Sequence, residues 1–281
     1  MFENILILIP GLLGNQKLDN LYTSLDLLKK QNYNFSIKVY ASTWKYKNNN
    51  IENLKVLCNN LNLIYVIEEE QYQDNFDSCC LELVNQTKLL KSYLISTGQN
   101  NRAFNIDYIR KYFAGYYKIW KCFKLVEENN QNFVIKAHSQ ANFQFWNSLQ
   151  HTLEETLIES NTPPYDSFFN INNTVFANIL QINYKNYIFV DDTVFGMHIQ
   201  TLKKILSKYS DFSYFLQDII SIIESILDIN FGYYMEKYNH INFYMVEGMQ
   251  IWAKLFVDNN INICNNRYGV TKKIYTKGLY A

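Results

Sequence analysis

Hydrophobic positions along the chain fall into two alternating patterns. Short continuous apolar runs occur at 4–9 (NILILI), 35–40, 63–67, 133–135 (FVI) and 187–190 (YIFV), each too short for a helix. Such runs mark strands buried on both faces. Between them, apolar residues recur at helical spacing: Leu18, Leu21, Tyr22, Leu25 and Leu28, then Ile51, Leu54, Leu57, Cys58 and Leu61. A third helical stretch lies between Cys80 and Leu94, and a long one runs from Tyr108 to Glu128 with Gly115 inside it, where close packing is expected. Glu68 to Asp77 reads as a polar loop. After Leu149 the pattern loosens through Pro163-Pro164 and an Asn-rich turn at 170–173. It resumes with helices near 199–209, 212–227 and 243–257 and a short strand at 261–263. Strand and helix alternate from the start, which predicts a parallel sheet with right-handed crossovers. No repeat and no long linker divides the chain, so the expected architecture is a single α/β domain over 1–281.

Composition narrows the class. Apolar residues at 48% with charged residues at 19% exclude wholesale disorder, and a formal net charge of +0 gives no nucleic-acid or acidic-membrane footprint. Five scattered cysteines and four histidines show no zinc spacing, and the odd cysteine count suits reduced thiols in a cytoplasmic setting. The apolar start lacks a basic leader and a cleavage site, and no uncharged run reaches the ~20 residues that span a bilayer.

Candidate chemistry centres on 132–143 (NFVIKAHSQANF), where a buried strand discharges directly into Lys136, Ala137, His138, Ser139 and Gln140. Ligands of open α/β sheets bind beyond the carboxyl ends of the strands. Asp191 and Asp192 follow YIFV in the same manner. Two chemistries fit. Ala137-His-Ser139-Gln-Ala141 looks like the nucleophile elbow G-x-S-x-G of α/β-hydrolases with both glycines replaced by alanine. Pro10-Gly-Leu-Leu-Gly14 then resembles an oxyanion loop. On that reading Ser139 is the nucleophile, Asp191 or Asp192 the orienting acid, and His198 or His240 the base.

The second chemistry comes with a resemblance spread over most of the chain. The segments ILILIPG at 5–11, SIKVYASTWK at 36–45, Phe104-Asn105-Ile106 with its Gly115-containing helix, FVIKAHSQ at 133–140, IFVDDTVFG at 188–196 and Glu247 resemble segments of a known family. It is the WavE-like glycosyltransferase-like family of polysaccharide synthesis loci and large DNA viruses. The resemblance implies a GT-A-like, Rossmann-type, mainly parallel sheet with helices on both faces. A nucleotide-binding half (1–140) would precede an acceptor half (141–281). It also implies transfer of a sugar from a nucleotide-sugar donor to a glycan or other hydroxyl acceptor. Asp191, Asp192 and Glu247 would be catalytic, and Pro10, Gly11, Thr43, Trp44, Lys136, His138 and Gln140 would bind the donor. The family's K-x-R-[ST]-D segment carries His138 and Gln140 here in place of its Arg and Asp. The Mn²⁺ or Mg²⁺ ion implied by the resemblance therefore lacks a usual carboxylate, since an amide is a poor ligand for a hard cation. Another acid such as Asp192 holds the ion, or transfer is metal-independent, or the chain is a degenerate GT-A module that binds a glycan or partner. For Trp44 the alternative is packing over the sheet, and for His138 a hydrogen bond at the strand end.

Overall fold

The computed structural model describes residues 4–11, 36–45, 51–57, 62–68, 73–86, 106–126, 132–138, 173–183, 187–238, 248–265 and 274–275. The apolar runs become strands β1 (Asn4–Pro10), β2 (Ser36–Trp44), β3 (Asn62–Glu68) and β4 (Asn132–Ala137). They lie in the order β3-β2-β1-β4, all parallel. Ile7, Leu8 and Ile9 are sealed on both faces of β1, and Val134 and Ile135 on both faces of β4. A continuous hydrophobic run in sequence is what such doubly covered strands require.

The sheet continues as β6-β5-β7-β8 through β5 (Thr174–Asn183), β6 (Tyr187–His198), β7 (Asn262–Asn265) and β8 (Ile274–Tyr275). β6 runs antiparallel to both β4 and β5, and β5 is parallel to β7. The result is a mixed, mostly parallel α/β sheet in one domain. Helices α1 (Ile51–Leu57), α2 (Gln73–Gln86) and α3 (Ile106–Leu125) belong to the parallel half. Helices α4 (Ile199–Leu206), α5 (Phe212–Tyr238) and α6 (Gly248–Asp258) belong to the second half. Helix α3 lays Phe113, Tyr116, Ile119 and Cys122 on β1 and β2, while α6 lays Ile251, Trp252, Leu255 and Phe256 on β6 and β7. Phe195 of β6 meets Trp252 at 5.1 Å and Phe256 at 5.4 Å, and Tyr116 meets Trp252 at 5.8 Å, joining the two helices over one core.

Four expectations need correction. The strand expected to end at Val190 continues to His198, carrying Asp191 and Asp192 inside it. Residues 174–183, left without structure by the loose pattern, form β5. Helix α2 starts at Gln73, inside the stretch read as a loop. Gly115 is exposed with no atom within 4 Å of a Cβ built there, so no close packing explains it. The helix expected over 18–30 lies outside the described residues. Among the described residues, no helix is long and apolar enough to cross a membrane.

Candidate functional site

The carboxyl ends of β1, β2 and β4 share one edge of the sheet, and β1 and β2 are joined there by the Gly11 amide, which donates to the Ser42 carbonyl at 2.9 Å. Gly11 takes φ 102°, a conformation that residues with a Cβ resist. A Cβ built there would meet nothing within 4 Å, so the backbone borders open space. Pro10 precedes it, buried and in register with Ser42.

Strand β6 brings the acids to this edge through a break in register. Ala177 of β5 pairs with Phe195, and Ile179 pairs with Val190. One residue of β5 therefore faces four of β6, 191–194, leaving three extra residues on β6. On its other side β6 stays in register with β4 as far as Ala137↔Val194. Asp191 and Asp192 thus sit in a wide bulge just past the last pair with β4. Bulges re-aim side chains and terminate pairing, and this one turns two half-buried acids out of the ladder. β4 and β6 are neighbours in the sheet, and the acids reach its edge from within an antiparallel strand rather than from a parallel strand's end.

Lys136 is the cation of this cluster. It is in register with Phe195, and its Nζ lies 5.3 Å from that ring's centre. Burial lowers its pKa to about 8 against the pull of Asp192 and Asp191, which both favour the ammonium. Among the described residues its Nζ has no hydrogen-bond partner. The carboxyl of Asp192 is raised, first by burial and then by Asp191, with Lys136 acting the other way. His138 follows at the end of β4, half-buried. Gln140, Ser139, His240 and Glu247 lie outside the described residues.

Thr43 and Trp44 occupy a different environment. Trp44 is 4% exposed, stacked on Tyr117 at 5.8 Å and tilted against Phe76 at 5.9 Å, with Lys118 Nζ 3.5 Å from its ring centre. It packs over the sheet and offers no free face to a base. Thr43 is buried, and its carbonyl accepts from Lys118 Nζ at 3.0 Å. Lys118 is a buried cation that sequence reading missed. The available signal was Cys122 four residues later, on the same stripe of α3, whose Sγ reaches the Tyr40 carbonyl at 3.7 Å. Ser42 was also missed. Its side chain is fully buried, and among the described residues its Oγ has no hydrogen-bond partner.

His198 lies away from the end of β4 that leads into the His138 segment. It pairs with Phe133 at the opposite end of β4, four residues or ~13 Å from Ala137. Its Nδ1 is engaged in capping α4, accepting from the Gln200 amide at 3.2 Å. Among the described residues, no group of three His, Cys, Asp or Glu could hold a metal ion. The ammonium of Lys136 already answers part of the charge of Asp191 and Asp192, which weakens the pair as a divalent-cation site.

No family model and no curated protein matches the chain. Among solved structures it is similar to the galactosyltransferase LgtC in complex with donor and acceptor sugar analogues. The identity is 10%, covering 93% of this chain and 72% of that one, with TM-score 0.41. An active-site mutant of LgtC gives the same identity of 10% and TM-score of 0.41, over 98% of this chain and 81% of that one. Mouse xyloside xylosyltransferase 1, in its apo form, is similar at 9% identity and TM-score 0.31, over 77% and 72% of the two chains. Residue roles do not transfer at identities and scores of this size.

Proposed function

We propose that the protein is a glycosyltransferase that moves a sugar from a nucleotide-sugar donor to a hydroxyl acceptor at the carboxyl edge of β1, β2 and β4. The supporting observation is the β6 bulge, which sets Asp191 and Asp192 beside the buried Lys136 where a parallel sheet receives its ligands. In the reaction the bond from the sugar's anomeric carbon to the diphosphate breaks, and a bond to the acceptor oxygen forms. The acceptor's proton passes to a carboxylate, assigned to Asp192, whose pKa burial raises. Such a base contributes about 10²–10⁴-fold to rate. The departing diphosphate takes the negative charge, and Lys136 is the nearby group able to stabilise it. Gly11 contributes by absence of a side chain, leaving room beside the backbone.

His138 and Gln140, at the end of β4, and Glu247 are assigned to the same cleft in this proposal, Glu247 toward the acceptor. Incubation with UDP-, GDP- and CDP-sugars and a panel of saccharide acceptors tests the proposal. Product formation that is abolished in Asp191→Asn or Asp192→Asn, with both variants folded, is the expected result. Unchanged turnover in both variants moves the site elsewhere. Nucleotide binding without turnover under any condition leaves a binding module.

A further inference from the structure

Two buried polar groups at the carboxyl edge have no hydrogen-bond partner among the described residues, Ser42 Oγ on β2 and Lys136 Nζ on β4. Register places them on one face of the sheet. Lys136 aligns with Leu8, which aligns with Tyr40, and Ser42 lies two residues beyond Tyr40 beside Pro10. Side chains two apart in a strand share a face. Since β1 alone separates β2 from β4, the two backbones are about 10 Å apart. A lysine side chain and one phosphate group fill a gap of that size. Lys136 is 4% exposed and Ser42 0% exposed, so neither faces bulk solvent.

A dry ammonium without a hydrogen bond is unfavourable unless something of opposite charge completes it. Asp191 and Asp192 hold Lys136 protonated from the bulge, but its donors remain free. The three N–H donors of Lys136 and the Ser42 hydroxyl, on one face of the sheet with Leu8 between their strands, are of the kind that phosphate oxygens accept from. Gly11 adds an open approach from β1. The alternative, a divalent cation bridging phosphate to the acids, meets a donor set that already contains a lysine's positive charge.

We propose that this edge binds a phosphate or diphosphate group directly through Lys136 and Ser42, with no divalent cation between them. The site then divides its charges: the lysine takes the anion, and the bulge acids remain for the acceptor. The proposal rests on the glycosyltransferase reading only for the larger molecule to which the phosphate belongs.

Calorimetric titration of the full chain with inorganic pyrophosphate and with UDP, GDP and CDP, in EDTA and then in Mn²⁺, tests it. Pyrophosphate binding in EDTA is expected, weakened about tenfold to a hundredfold in Lys136→Met and less in Ser42→Ala. Lys136→Arg should bind more tightly than Lys136→Met, which guards against a merely structural effect. If Lys136→Met fails to fold, the metal-free binding of the unaltered chain and of Lys136→Arg decides. Binding that appears only with Mn²⁺, binding indifferent to Lys136, or no pyrophosphate binding in either condition overturns the proposal. Metal-free pyrophosphate binding with no nucleotide bound leaves the proposal standing and removes the glycosyltransferase reading. Nucleotide binding that needs Mn²⁺ and ignores Lys136 does the reverse.

Discussion

Replacing Lys136 with Met should stabilise the protein at pH 7 while it weakens ligand binding. Burial lowers the lysine's pKa from its ordinary 10.5 to about 8. At ~1.4 kcal/mol per pH unit, keeping it charged in the folded state at pH 7 costs about 3 kcal/mol. The folded group releases its proton near pH 8, whereas the unfolded chain holds its proton to about 10.5. Between those values the unfolded state binds the extra proton, so the contribution of Lys136 to stability rises with pH. The charged groups around it are Asp191 and Asp192. Removing the lysine withdraws its support from Asp192, which subtracts from the gain. A net stabilisation of about 1–3 kcal/mol at pH 7 follows. Urea unfolding at pH 7 and at pH 10 measures it. Relative to Lys136→Met, the natural chain should recover most of the difference by pH 10. A loss of 3–5 kcal/mol in Lys136→Met at pH 7, the usual result of breaking a satisfied buried pair, would refute the reasoning.

Three further outcomes follow from the same structure. Asp211 caps α5, its Oδ1 accepting from the Ser213 amide at 2.7 Å, so Asp211→Ala should cost about 1 kcal/mol by thermal unfolding. Its pKa is lowered by that bond, so the contribution is present above the normal aspartate range and is lost as pH falls through the folded value. Gly11→Val should cost about 1–2 kcal/mol through its φ of 102° without a clash in the core, measured by urea unfolding. On the glycosyltransferase reading a fluorophosphonate probe should not label Ser139, and one of its two candidate bases, His198, is spent on capping α4. Labelling that disappears in Ser139→Ala would restore the hydrolase reading.

The parallel half was legible because burial on both faces leaves a plain signature. A strand such as β1 has no polar position to spare, and β1 to β4 were found within a few residues of their true ends. The second half was harder for a definite reason. Two adjacent acids after YIFV look like a strand's exit, and only pairing with β4 and β5 shows the strand passing through them. β5 itself begins in an Asn-rich turn and carries Asn178 and Gln181, which blur its apolar run. The acids themselves were legible from their place after an apolar run, whereas Ser42 and Lys118 were not. The mark of the buried Lys118 was faint, a single Cys122 four residues later on the same stripe of α3. Trp44 shows the converse, an aromatic residue at a strand end that the fold uses as core.

The three surplus residues of β6 give the sheet a place where chain length is free to vary. Deleting three positions from 191–194 would remove the larger of the two irregularities between β5 and β6, because the register on its two sides differs by three. Inserting residues there would lengthen a protrusion at the ligand edge and leave Phe195, Met197 and the helices above them in place. Loss or gain of a few codons at this point would remodel the reactive end of the cleft while sparing the folding core. Loop-like tolerance to insertion has been placed inside a central strand.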